Sequence, residues 1–292
     1  MPRTEREFTD PVCRARPPVS AEGQVPGDRH ALGDWFTPDT TFPRAVAGTY
    51  GYWRVVDALA HVAAVLGDDT GAAAYRAEAL ALDMGTYPAG EKQRLFDHFT
   101  ASVRNAGDHL LLGEISLSAA LRVLSAGGRD DILNAVATRT TSPGHGYQVL
   151  AGNTTLGESW DGGPGQSQNH FMLGAIGSWF TTRVAGLDQT PDSVGFAKLL
   201  IAPAVEGATT SASASHRTPY GVARTAWRRT ADRFRLTADV PAGSTAEVRV
   251  PLLGGRAAPP SGAHLVCADA TTAVHTMGSG HWTFGSDHLP RG

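Results

Sequence analysis

A glutamate, a histidine and several aromatic residues fall close together over residues 149–187, VLAGNTTLGESWDGGPGQSQNHFMLGAIGSWFTTRVAGL. Glu158 stands among glycine and threonine, with Trp160 and Asp161 just after it. A glycine-rich loop leads to Gln168-Asn169-His170, and an apolar run follows with Phe171, Trp179 and Phe180. A positioned carboxylate takes a proton from water or gives one to a leaving oxygen, which is general acid–base chemistry. Aromatic rings cover the apolar faces of sugars, while carboxylates, amides and imidazoles hydrogen-bond their hydroxyls. These types at this spacing fit a site that binds and cleaves a carbohydrate. The residues alone leave other roles open. Glu158 also reads as a solvated or helix-capping acid, His170 as a satisfied histidine near a helix N-terminus, and Trp160 as a core ring.

The elements that must position these groups follow from periodicity. Residues 44–66 place Val56, Leu59, Ala60, Ala63 and Leu66 at helical spacing, with Pro43 at the start and Gly67 past the end. Further helices are predicted over 71–84, 91–106, 115–126, 129–138 and 168–186, with turns at Pro88, Gly107, Gly127-Gly128 and Ser142-Pro143-Gly144. Beyond residue 190 the period shortens to two. Strands are predicted over 198–202, 208–216, 222–228, 233–240, 245–251, 264–267, 272–277 and 281–284. The expected architecture is an α + β multidomain chain. The consecutive helices read as an α-hairpin array or a toroid of paired helices, which the resemblance given below makes a (partial) (α/α)6 toroid of helical hairpins, and an antiparallel β-sandwich follows. Residues 1–30 read as an irregular arm, 31–190 as the helical part and 195–286 as the sandwich.

The chain has 292 residues, 41% of them hydrophobic and 18% charged, which suits a folded globular protein. Its net charge of −3, with no basic run, excludes an electrostatic footprint for nucleic acid. No window reaches the roughly 18 apolar residues that span a bilayer, so no membrane partner is expected. The N-terminus MPRTEREFTDPVCRARPPVS lacks the apolar core of a signal peptide, and the expected location is cytoplasmic. Cys13 and Cys267 are two cysteines far apart, read as free thiols in a reducing compartment. There is no metal motif of the His/Cys type and no phosphate loop, so no metal and no cofactor are expected.

The order of motifs resembles bacterial α-L-rhamnosidases, inverting glycoside hydrolases with an (α/α)6 barrel and a C-terminal β-sandwich. The matching segments are Ala31-Leu-Gly-Asp-Trp-Phe36, Gly48-Thr-Tyr-Gly-Tyr-Trp53, Ala106-Gly-Asp-His-Leu110 and Gly146-Tyr147. They continue with Asn153-Thr-Thr-Leu-Gly-Glu-Ser-Trp-Asp-Gly162, Asn169-His170, Ile201-Ala-Pro203 and Thr218-Pro-Tyr-Gly221. The resemblance covers about residues 31–285 and is to the C-terminal part of the family. It implies that Glu158 is the general base and that His170 binds the sugar. It also implies that Trp160 and Asp161 flank the base in the family's signature, and that Asp34 and Trp35 line the barrel mouth. The implied substrate is a rhamnose-containing glycoside or oligosaccharide.

Three departures stand out. Gly157 replaces a bulky residue before the glutamate, and Asn153 stands where the family signature has Ala. The family's acid-bearing upstream segment, with its Gly-Trp-x-Gly-Asp-Ala pattern, has no match here. In an inverting pair the acid and base carboxyls stand about 6.5–9.5 Å apart, which leaves room for water. Glu114 and Asp34 are the candidates to replace the acid. The alternative is a catalytically inactive truncated remnant, or a carbohydrate-binding half that lacks the acid. Such a half would self-associate or pair with a missing N-terminal half.

Overall fold

The computed structural model describes residues 72–87, 90–110, 112, 114–160 and 167–288. The predicted arm over 1–30 and the helix over 44–66 lie outside these, as do Asp34, Trp35 and Asp161. The chain packs as two units, divided between Ala175 and Ile176.

The first unit is helical. Its elements are α1 (Ala72–Met84), α2 (Lys92–Asn105), α3 (Glu114–Ala126), α4 (Asp130–Thr138), α5 (His145–Leu150) and α6 (Phe171–Gly174). The first four fall within two residues of the predicted helices, the usual scatter at helix ends. Each presents one apolar stripe. Phe99 and Val103 lie four apart on α2, and Leu117, Ala120 and Leu124 follow helical spacing on α3. Ile132, Leu133 and Val136 do the same on α4, and all of these are buried. α1 packs on α2 and α3, where Leu80, Ala81 and Ala119 form a shared cluster with Met84 and Leu95. Small alanines at that contact let two helices approach closely. On the outer side Arg122 of α3 grips Asp83 of α1 with two bonds of 2.9 and 2.6 Å.

Charge ties the helix ends together. Arg104, in the last turn of α2, donates to Asp108 at 2.7 Å and to Asp131 at 2.6 Å. Asp131 also accepts from Arg129, and Arg139 reaches Asp108 at 3.1 Å. Asp131 sits in the first turn of α4, where a helix favours negative charge. Its carboxyl is held down to about 2. The Arg129 guanidinium is the main cause, helped by the Ile132 N–H and Arg104 and opposed by partial burial.

The second unit opens with α7 (Ile176–Trp179) and a π-turn over Phe180–Val184. A single helix over 168–186 was expected; the structure instead breaks the segment into short pieces. Gly174 and Gly177 are weak helix formers. The hydroxyls of Thr181 and Thr182 turn back onto the carbonyls of Gly177 and Ser178, at 3.2 and 2.9 Å. Such back-bonding bends helices, and a one-turn π stretch is a common result of a locally misfitted ladder. The segment ends at Gly186, whose φ of +78° is open to glycine. A Cβ there would lie 2.6 Å from Pro203 Cα. The close approach is bonded on both sides, by Ala202 N to Gly186 O at 3.0 Å and Ala204 N to Arg183 O at 2.7 Å. Trp227 Nε1 adds a bond of 2.7 Å to Val184 O.

Ten strands follow, as two five-stranded sheets. The strands are β1 (Leu187–Gln189), β2 (Lys198–Ile201), β3 (Ser211–Thr218), β4 (Gly221–Arg229) and β5 (Arg233–Val240). Then come β6 (Thr245–Pro251), β7 (Gly255–Ala258), β8 (His264–Ala268), β9 (Thr272–Met277) and β10 (Gly280–His288). One sheet runs β1-β2-β6-β9-β8 and the other β3-β4-β5-β10-β7. All pairings are antiparallel except β2 with β6. That pair is parallel because three strands of the other sheet intervene between them in sequence, giving the chain room to cross over. Alternation builds the core: Phe234, Leu236, Ala238 and Val240 of β5 face Val248 and Val250 of β6, with Trp227 and Phe284 between the layers. β1 and β7 are additions to the predicted strands, and β10 extends to His288, past the strand predicted over 281–284.

Two groups in this unit depart from expectation. Cys267 is disulfide-bonded rather than a free thiol. His275 of β9 is fully buried in the apolar core, with neither ring nitrogen hydrogen-bonded.

Candidate active site

Glu158 lies on the loop between α5 and α6, and its side chain is exposed. The loop owes its form to backbone pairing that no side-chain pattern announces. Glu158 N donates to Ser167 O at 2.9 Å, and His170 N donates to Leu156 O at 2.9 Å. Ser167 N in turn donates to Glu158 Oε2 at 3.2 Å. Thr155 Oγ1 bonds to Gln168 O across the same seam. Residues 155–158 and 167–170 thus run side by side, and the carboxylate is held against the second strand of the loop. Gly157 is buried there, and a Cβ on it would sit in ordinary contact with Ser167 O at 3.4 Å.

His170 caps α6. Its Nδ1 accepts from Met172 N at 3.2 Å, which makes Nε2 the protonated nitrogen of the neutral ring. The ring stacks on exposed Phe171, with centroids 4.6 Å apart and planes 29° from parallel. A histidine is an uncommon cap. Here the cap fixes the ring at the end of the seam that carries Glu158.

Trp160 is half-buried. Its Nε1 donates to Leu112 O at 3.1 Å, and its ring meets His145 edge-on at 5.0 Å and 84°. His145 is buried and bonds through Nε2 to Leu173 O at 3.2 Å, leaving Nδ1 without a hydrogen-bond partner. Burial pushes its pKa down, partly offset by the bond to Leu173, so the ring is neutral. Gln148, also buried, donates from Nε2 to Ser159 O at 3.0 Å and to Trp160 O at 2.7 Å. Its Oε1 accepts from Asn153 Nδ2 at 2.6 Å.

The structure therefore brings Glu158 and His170 onto one paired seam and anchors Trp160 behind it. Glu114 opens α3, but its side chain lies outside the described residues. His145 and Gln148 are not among the residues singled out by sequence. They fall in α5, a six-residue helix where the sequence reads as a loop. The one available signal was a polar glutamine directly ahead of Val149-Leu150. No group of acidic, histidine or cysteine side chains able to hold a metal ion occurs among the described residues. Nor is any helix there long and apolar enough to cross a membrane.

Residues 75–184 match the family model of the bacterial alpha-L-rhamnosidase six-hairpin glycosidase domain. Residues 186–263 match that of the bacterial alpha-L-rhamnosidase C-terminal domain. By fold the described chain joins a helical unit, similar to part of the six-hairpin glycosidase domain, to a two-sheet β domain. Its similarity is to α-L-rhamnosidases, and to the C-terminal part of them. The alpha-L-rhamnosidase of Streptomyces avermitilis is 28% identical, over 86% of this chain and 28% of its own length. That of Formosa agariphila is 31% identical over 59% of this chain and 19% of its own length. The crystal structure of the Streptomyces avermitilis enzyme complexed with L-rhamnose superposes with a TM-score of 0.67 at 26% identity, covering 87% of this chain and 28% of that one. The chain thus spans between about a fifth and a third of the length of the relatives it matches.

Proposed function

We propose that this chain carries the base side of an inverting α-L-rhamnosidase site. Glu158 is the general base, which takes a proton from the water that attacks the anomeric carbon. His170 binds a hydroxyl of the rhamnosyl unit, and Trp160 and Asp161 are assigned to substrate binding with it. Asp34 and Trp35 belong to the same sugar site in this reading. The observation that carries it is the placement of Glu158: an exposed carboxylate, pinned at one oxygen by Ser167 N–H, on the seam that ends at His170. A base that must reach water needs that combination of exposure and fixed direction. The activity for which these relatives are named, and the L-rhamnose bound by the Streptomyces avermitilis enzyme, support the substrate class, a terminal α-L-rhamnose on a glycoside or oligosaccharide.

The test is hydrolysis of an aryl α-L-rhamnoside. Glu158→Gln is expected to lower kcat by on the order of 10²–10⁴-fold, the range for general acid–base groups. Proton NMR of the first-formed sugar is expected to show the inverted anomer. Full activity in Glu158→Gln refutes the assignment.

A second reading draws on the chain spanning 28% of the length of the Streptomyces avermitilis relative. Here the chain binds rhamnosides without cleaving them, or works only when paired with a polypeptide bearing the acid. A folded chain that binds L-rhamnose in calorimetry but turns nothing over supports it.

A further inference from the structure

We infer that Gln148 is a positioning residue for Glu158, closing the loop on which the carboxylate is presented. The inference rests on the reading of Glu158 as base. It goes beyond that reading by naming the group that sets where the base stands.

Gln148 is 1% exposed on a short helix, where a leucine or methionine would fill the same space. A buried primary amide is costly unless its donors and acceptor are met. Here every one is met by the loop. Both amide hydrogens go to consecutive carbonyls, Ser159 O and Trp160 O. Consecutive carbonyls of an extended strand point to opposite sides, so a single amide that takes both forces a bend directly after Glu158. The amide oxygen takes Asn153 Nδ2, and Asn153 N donates to the Gln148 main-chain carbonyl at 3.1 Å. One side chain therefore joins the beginning of the loop, at Asn153, to the stretch just after Glu158, at Trp160. From behind, His145 braces the Trp160 ring, whose Nε1 is tied to Leu112. Ser167 pins Glu158 from the opposite side. The carboxylate thus stands between the Gln148 clasp on one side and the Ser167 N–H on the other.

The test uses the full chain and two substitutions. Gln148→Leu keeps the volume and removes the clasp; Asn153→Ala, at a half-buried loop position, is the milder cut and covers the case in which the first variant does not fold. Kinetics on the aryl α-L-rhamnoside are read together with hydrogen–deuterium exchange of residues 151–160. A misplacement of about 1 Å costs on the order of 100-fold in rate. The expectation for Gln148→Leu is a kcat about 100-fold lower with KM within about threefold, because the sugar contacts are untouched. Exchange across 151–160 rises and exchange across the β strands is unchanged. Asn153→Ala moves both readouts in the same direction by less. Unchanged exchange in the loop, or equal losses in kcat and in global stability, overturns the inference. If the wild-type chain shows no turnover, the second reading of its function holds, and the exchange measurement decides by itself whether Gln148 holds the loop.

Discussion

Acidification from about pH 8 to about pH 5 offers a charge to His275, the one imidazole at the centre of the β core. The ring is 0% exposed and its nitrogens have no hydrogen-bond partner. Its cross-strand neighbours are Val248 and Leu265, and the Phe284 ring lies 5.4 Å away from the facing sheet. Val248 and Leu265 offer no counter-charge, and desolvation drives the pKa down, opposed by the Ala273 backbone. In the unfolded chain the group titrates near about 6.5. Above that value it is neutral in both states and adds no pH dependence. Below it the unfolded chain binds the proton first, so stability falls with pH until the folded-state pKa is reached. Each pH unit in that window removes about 1.4 kcal/mol, so the loss by about pH 5 reaches at most about 2 kcal/mol. That is a substantial share of a typical stability of about 5–15 kcal/mol. The assay is urea unfolding at several pH values for the wild type and for His275→Leu, whose other titrating groups are shared and cancel. At high pH the leucine is expected to match or exceed the wild type, because it buries no unmet nitrogen. Its advantage is expected to widen by up to about 2 kcal/mol at about pH 5. A difference between the two proteins that stays constant with pH refutes the argument.

Gly186→Ala combines a left-handed φ with a Cβ 2.6 Å from Pro203 Cα, so it is expected to cost more than the roughly 1 kcal/mol of the backbone conformation alone. A thermal melt checks this, and an unchanged midpoint contradicts it. Asp131, held near 2 by Arg129, adds stability above its unfolded value near about 4 that is lost as the pH falls towards 2. Because the side chain is 41% exposed and screened, Asp131→Asn is expected to remove only about 1 kcal/mol or less, seen as a shallower acid limb in a stability–pH profile.

The legible parts of the fold are those where one period governs many residues. α2 and α4 announce themselves through Phe99 and Val103, and through Ile132, Leu133 and Val136. β5 and β6 do so through strict alternation. The misses are places where tertiary bonds overrule local pattern. α5 has two polar residues, His145 and Gln148, on its buried face, and a pattern that treats polar as exposed reads it as loop. The apolar run over 168–186 looks like one helix because the back-bonding of Thr181 and Thr182 leaves no mark in hydrophobicity. β1 and β7 are three and four residues long, too short for an alternation to stand out. At the site, Glu158 and His170 were visible as residue types in a motif. Their common seam was not, because it is made by main-chain atoms of Leu156, Glu158 and Ser167.

The bonds from Val184, Arg183 and Gly186 to Trp227, Ala204 and Ala202 bear on how this protein divides into interchangeable parts. The two family matches adjoin at residues 184 and 186, whereas the packing divides between Ala175 and Ile176. A recombination that transplants the β domain from residue 186 onward would present the Trp227 indole N–H and the Ala204 amide to the main-chain carbonyls of a foreign leader. The heritable module is therefore longer than the β strands: it starts at Ile176 and takes its helical leader with it. Chimaeras joined ahead of that residue keep the leader on its own sheets, and those joined after it inherit a mismatched one.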